Sequence, residues 1–380
     1  MLMLKTWSLI AGSALAMALA VPTDDRAPDA PDALGMRVGK VALQSASQLT
    51  FGPSNILFLA DPRAGQLYAL DLPDSRKASL TGGYLIMSNL DEKIAALLGT
   101  TRDRVRVGDM ATHPGSGALY FTVTRAGATG AAATLVRVGS PDDITLVNLD
   151  QVRHSETMVP AAPPADTTLL WGQPKWSLSV TDLDVVDGEL WVAGLSNEQF
   201  ASALRRVPFP FGKNNGVATV EVYHTAHNRW ETASPIETFI PLTVNGSAMV
   251  LAGYGCSPLA LFSVTDLKAG GHRKGKTVAE LGGGSRPIDL VRYQREGKDF
   301  ILIANSERTL MRMDPADIAK AKEMTTPVDR AYVSGGVPYL SVASAGVMQL
   351  ADLDPDRVVV LVRDIESGAM NLMAYQKKWL

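Results

Sequence analysis

Cysteine is almost missing from this chain. Cys256 is the only one in 380 residues, so no intrachain disulfide can form and the fold must hold by burial alone. Charge of one sign is missing too. With 36 basic and 39 acidic residues the net charge is -3, and no basic run carries interleaved aromatics, which argues against nucleic acid or an anionic membrane surface as a partner. No G-x-S-x-G nucleophile elbow occurs. Gly282-Gly283-Gly284 lacks the Lys and Ser/Thr that would make it a phosphate loop, and reads as a connection between units.

Long apolar runs are also scarce, with one exception at the N-terminus. Lys5 precedes an apolar stretch from Thr6 to Ala20 that ends in Ala18-Leu19-Ala20, the pattern of a secretory signal with an A-x-A cleavage site. The run is shorter than the roughly 20 residues of a comfortable membrane span, and Asp24, Asp25 and Arg26 follow directly. We therefore expect a signal peptide over 1–20, a disordered leader over 21–35, and a periplasmic or secreted domain over 36–380 with no stable membrane span after cleavage.

What fills that domain is a recurring unit: an apolar strand, a turn with Gly or Asp, and a second strand. It appears at Asn55–Leu72 (NILFLADPRAGQLYALDL), Asp109–Arg125, Thr181–Leu195, Phe239–Val264, Ile288–Met313 and Tyr339–Tyr375. Asp187-Gly188 and Asn245-Gly246 are strong hairpin signals, and Arg295 to Lys298 is a polar turn. Six units at a spacing of roughly fifty residues suit four-stranded propeller blades. The fold class expected is all-β, a propeller of six or seven blades. Arg37–Leu43 reads as a lone strand that would close the ring by pairing with the strands around Arg357 to Tyr375. Helix is expected only in insertions, at Leu90–Leu98 and after Asp314, which is placed as N-cap with Pro315 at the first helical position. The Pro- and Ala-rich stretch Pro160–Pro174 would hide part of a blade or cross a face of the disc.

The units NILFLADPRAGQLYALDL and IDLVRYQREGKDFILIANSERTLMRM resemble the blades of secreted propellers of the NHL, YVTN and SMP-30/gluconolactonase kind, through strand rhythm from about Phe51 onward. Repeated Trp-Asp strand endings, kelch glycine pairs, sialidase Asp-boxes and the tryptophan-docking repeats of quinone dehydrogenases are absent. The lactonase resemblance implies channel carboxylates holding a metal beside a reacting carbonyl, although no motif here aligns with that site residue by residue.

Three constellations could carry chemistry. Asp109, Asp182 and Asp289 occupy the same place, just before the inner strand of a unit, so they should converge near a propeller axis, where calcium would suit their oxygen ligands. The plainer expectation is that they accept backbone N–H groups in inter-blade turns, since Asp at a strand start is ordinary turn chemistry. His224, His227 and Glu231 would share one face if their segment were helical and could then ligate zinc or copper, yet the preceding VATVEVY reads as a strand. Cys256 could join the histidines on copper, act as a nucleophile, or lie buried and inert. No motif decides between an enzyme and a binding protein. The leading expectation is a binding or scaffold protein of the cell envelope that takes a protein or small-molecule ligand at a propeller face. Beside it stand a calcium-dependent lactonase-like hydrolase centred on the aspartates and a copper or redox accessory protein centred on His224, His227 and Cys256.

Overall fold

A computed structural model describes residues 32–380 apart from 82, 128–131, 171, 214, 269 and 329–331; the expected signal peptide lies outside them. The described residues form a six-bladed β-propeller. Numbered along the chain, the blades begin with the innermost strands Leu49–Phe51, Val105–Thr112, Asp182–Val186, Ile236–Val244, Pro287–Arg295 and Val347–Asp352. Each blade continues outward through antiparallel neighbours, and in blade three Gly271–Lys274 adds in parallel to Gly216–His224.

Strand chemistry follows from the packing. The second strand of a blade is covered on both faces by neighbouring blades, so its sequence is a continuous apolar run rather than an alternation. Ile56–Asp61 (ILFLAD) is buried at every position, and so is nearly all of Glu189–Leu195. Six apolar clusters lie between six pairs of adjacent blades. Each fully buried Leu, Val or Phe there contributes about 1.5–3 kcal/mol. In blades three, four and five the innermost hairpin closes through a two-residue turn with positive φ at both positions: Asp187-Gly188 (51°, 79°), Asn245-Gly246 (49°, 79°) and Glu296-Gly297 (52°, 73°). That is the turn whose twist matches paired strands.

The blades do not circle the axis in chain order. Contacts between innermost strands run blade two, one, three, four, five, six and back to two. After three strands of blade one, the chain passes blade two and lays Leu85–Met87 on the outer edge of blade six, against Met370–Gln376. It then forms the helix Leu90–Leu97, builds blade two, and returns as Val152–Met158, the fourth strand of blade one. This corrects the expected closure: Arg37–Gly39 pairs with Val152–Met158 on blade one and does not reach the strands around Arg357 to Tyr375. The ring is closed by an internal strand. Asp32, at the end of the expected leader, accepts hydrogen bonds from the backbone N–H of Leu34 and Met36 and pairs with Arg153, so residues 32–35 form a fixed turn instead of a loose one.

The insertions fill in the rest. Asp314 caps Pro315–Lys320 through the Ala316 N–H, as expected, and a further short helix spans Val264–Lys268, where the sequence pattern marks none. The described residues of Pro160–Pro174 supply no blade strand; they meet blade three at Asn197 and Arg205 and lead into a 3-10 turn at Lys175–Leu178. Arg205, fully buried, holds this stretch in place by donating to the carbonyls of Pro160 (2.6 Å), Ser179 (3.0 Å) and Leu195 (2.6 Å). No described helix is long and apolar enough to cross a membrane.

Candidate functional site

Two places gather chemistry-bearing side chains. The first is the axis, where a channel of about 380 Å³ is lined by residues from all six innermost strands, Asp109, Asp182 and Asp289 among them. These aspartates stand on blades two, three and five, which alternate around the ring. Each reaches the next blade in the same rotational sense: Asp109 accepts from the N–H of Leu49 (2.8 Å), Asp182 from Phe239 (2.7 Å) and Asp289 from Leu350 (2.6 Å). The other oxygen of Asp109 and of Asp182 accepts the N–H of the following residue. The same three side chains thus both converge on the axis and accept backbone N–H groups. They share the axis, and they latch blades two to one, three to four and five to six.

Burial dominates their titration. It pushes Asp109 up to about 7 and raises Asp182 and Asp289 well above the usual carboxylate range, the charge of Asp109 adding to the effect on both. By surface area all three keep a partly exposed edge on the channel, and water there tempers the shift. Asp184, also on the channel wall, is raised by burial to about 6.

The second place lies where innermost strands begin, between blades three and four. A cavity of about 660 Å³ is lined by His224, His227, Arg229, Trp230, Glu231, Glu237, Cys256 and Arg286, among others. The segment carrying the histidines is not helical. His224 ends the strand Gly216–His224, and Glu231 lies on the short return strand Arg229–Glu231, opposite Val222 in the ladder. Spacing along a helix would have joined them; a tight hairpin does so instead.

Glu231 receives both imidazoles on one carboxylate: His224 Nδ1–H donates to Oε2 (2.6 Å), His227 Nδ1–H to Oε1 (2.9 Å), and Arg229 Nε–H also to Oε1 (2.7 Å). Burial raises the carboxyl, but the hydrogen bonds from His224 and Arg229 outweigh it and hold Glu231 below the usual carboxylate range. An ionised carboxylate only accepts, so Nδ1 of each ring carries a proton and Nε2 of each points away from Glu231.

Cys256 meets the histidines from the turn between Ser247–Tyr254 and Pro258–Ser263. Its Sγ lies 3.9 Å from His227 Nε2 and accepts the Gly284 N–H at 3.4 Å, while its carbonyl oxygen is 3.1 Å from His224 Nε2. Cys256 (φ 62°) and Ser257 (φ 100°) both occupy conformations that L-residues rarely adopt, which cost of order 1–3 kcal/mol each. Fully buried Glu280 fixes them: it accepts from the Ser257 and Thr225 hydroxyls, the residues immediately after Cys256 and His224, and from the Gly282 N–H at 3.2 Å. Along the sequence Cys256 and the histidines stand in separate segments, and only the fold joins them. Glu280 and the glycine run are site residues that sequence reasoning misses, although a glutamate ending the apolar strand Lys276–Glu280 is a signal.

No family model and no curated protein matches the chain. Among solved structures it is similar to a chain of the mitotic checkpoint complex (10% identical, covering 96% of this chain and 99% of that chain, TM-score 0.33). It is also similar to the C-terminal WD40 domain of Sif2 (10%, 89% and 98%, TM-score 0.38) and to the PQQ-bound form of aldose sugar dehydrogenase from Streptomyces coelicolor (10%, 92% and 99%, TM-score 0.32). The class of the protein, a six-bladed propeller, rests on the closed ring of innermost strands.

Proposed function

We propose that this protein is an exported β-propeller that acts as a binding protein of the cell envelope, periplasmic or secreted, with its ligand seat in the cavity between blades three and four. The observation that carries the reading is that cavity: about 660 Å³, the size of a small-ligand or side-chain anchor site, with Trp230 as an amphipathic wall and Arg229, Arg286 and Glu237 as polar groups converging on it. Burial raises Glu237, and the Arg286 charge opposes the rise. The N-terminal apolar run with its A-x-A end supports export. A calcium-dependent hydrolase has less support, because both oxygens of Asp109 and of Asp182 are committed to backbone N–H groups and burial favours the neutral form of all three axial carboxyls.

The test has two arms. Fractionation should place the processed chain outside the cytoplasm. A photo-crosslinking amino acid in place of Trp230 should capture a ligand in cells, whereas the same group in place of Glu296, past the far end of the nine-residue strand that follows Arg286, should not. A cytoplasmic chain, or identical adducts at both positions, would refute the reading.

A further inference from the structure

The ligand-bearing atoms of His224, His227 and Cys256 lie within 4.8 Å of one another, on a wall of the cavity. We infer that they form a three-coordinate site, two imidazole nitrogens and one thiolate sulfur, for a single copper ion. The inference goes beyond the binding-protein reading and does not depend on it.

Geometry comes first. Metal–sulfur and metal–nitrogen bonds of about 2.3 and 2.0–2.1 Å, opened to a trigonal angle, place sulfur and nitrogen about 3.8 Å apart; Cys256 Sγ and His227 Nε2 are 3.9 Å apart. Ring orientation comes second. Because both rings turn Nδ1 to Glu231, Nε2 of each faces the other way, toward Cys256. A carboxylate behind a ligating histidine is the usual outer-shell partner of a metal site, and here one carboxylate serves two rings. His224 Nε2 rests 3.1 Å from the Cys256 carbonyl oxygen, a contact that a proton on Nε2 makes a hydrogen bond and that an ion would replace. The carbonyl oxygen would then be a further oxygen close to the ion.

Rigidity is the third point. Glu280 clamps the residue after each of two ligands, and the Gly284 N–H, 3.4 Å from Cys256 Sγ, holds the sulfur beside the rings. The donor set selects the ion. Thiolate plus two imidazoles, with no fourth side-chain ligand grouped with them among the described residues, suits copper, which leads the affinity order of first-row divalent ions, whereas a structural zinc site would call for a fourth ligand.

The full protein is titrated with copper(II), with zinc(II) in parallel. One equivalent of copper should bind at submicromolar affinity, bring up a thiolate-to-copper charge-transfer band in the visible, and protect Cys256 from iodoacetamide. Cys256→Ser should abolish the band and weaken binding at least 100-fold. Glu231→Gln, which can accept from only one of the two rings, should weaken it about 10–100-fold. His272→Ala, at a histidine outside the cluster, should change nothing. Iodoacetamide protection needs no variant, so it decides the matter even if Cys256→Ser misfolds. Four results would overturn the inference: no band, no protection, undiminished affinity in Cys256→Ser, or zinc bound more tightly than copper.

Discussion

Raising the pH from 5 to 8 should weaken this propeller, because the three axial aspartates hold its blades together in a place that disfavours their charge. A carboxyl whose folded value lies above its unfolded one binds its proton more tightly in the native state. Stability from that source is fully present below the unfolded value near 4 and is lost as the pH climbs to the folded value. Asp109 goes from 3.8 to about 7, which at ~1.36 kcal/mol per pH unit is an upper bound of about 4 kcal/mol. Water at its channel edge reduces this to about 1–2 kcal/mol. Asp182 and Asp289 shift in the same direction, and each charge penalises the others, so the fall across this range should come to a few kcal/mol. Urea unfolding at pH 5, 6, 7 and 8 measures it. Asp109→Asn should be less stable at pH 5 by about 1–3 kcal/mol, since its amide turns an N–H toward the N–H of Leu49 or Met110, and it should also flatten the pH slope. A wild-type stability that rises with pH, or an Asp109→Asn slope equal to the wild type, would refute the reasoning. Calcium that removes the slope would instead revive an axial metal site.

Arg205→Met should lower stability by about 2–4 kcal/mol in denaturant unfolding, because three carbonyls, two of them in buried surroundings, lose this donor; Arg205→Lys should recover only part, and an unchanged midpoint would contradict the stapling role. Gly194 has φ 146°, and a Cβ there would lie 2.3 Å from the Ser179 carbonyl oxygen, so Gly194→Ala should cost more than ~3 kcal/mol or prevent soluble expression. Met87, buried on the closing strand, tests the ring: Met87→Asp should cost about 3 kcal/mol and speed hydrogen exchange in Met370–Gln376. Val38→Asp, on the exposed N-terminal strand, should cost under ~0.5 kcal/mol. Equal effects of the two would put closure back at the N-terminus.

The repeating strands were legible because a blade strand covered on both faces must be a continuous apolar run; Ile56–Asp61 and Lys298–Asn305 announce themselves in this way. Two-residue turns were legible where Asp-Gly and Asn-Gly supply positive φ. The closing strand was not. Leu85–Met87 is three residues long and pairs with residues nearly three hundred positions away, so no local pattern marks it. Its place is set by the open edge of blade six. The first blade's fourth strand, Val152–Met158, is equally hidden, with Arg153, His154, Ser155 and Glu156 in its middle.

The same division holds for the site. Composition and pattern alone determined an all-β repeat domain without disulfides, an N-terminal stretch with the marks of a signal, three aspartates equivalent in their units, and a single cysteine. Tertiary structure decided which of these meet. His224 and Cys256 are 32 residues apart in sequence, and Glu280 lies further along still; they converge because blades three and four pack side by side and their loops open on one face. Local sequence encodes turns and strand faces through steric and hydrophobic preferences over a few residues. Contact between distant loops depends on the order of blades around the axis, and here the chain departs from its own sequence order.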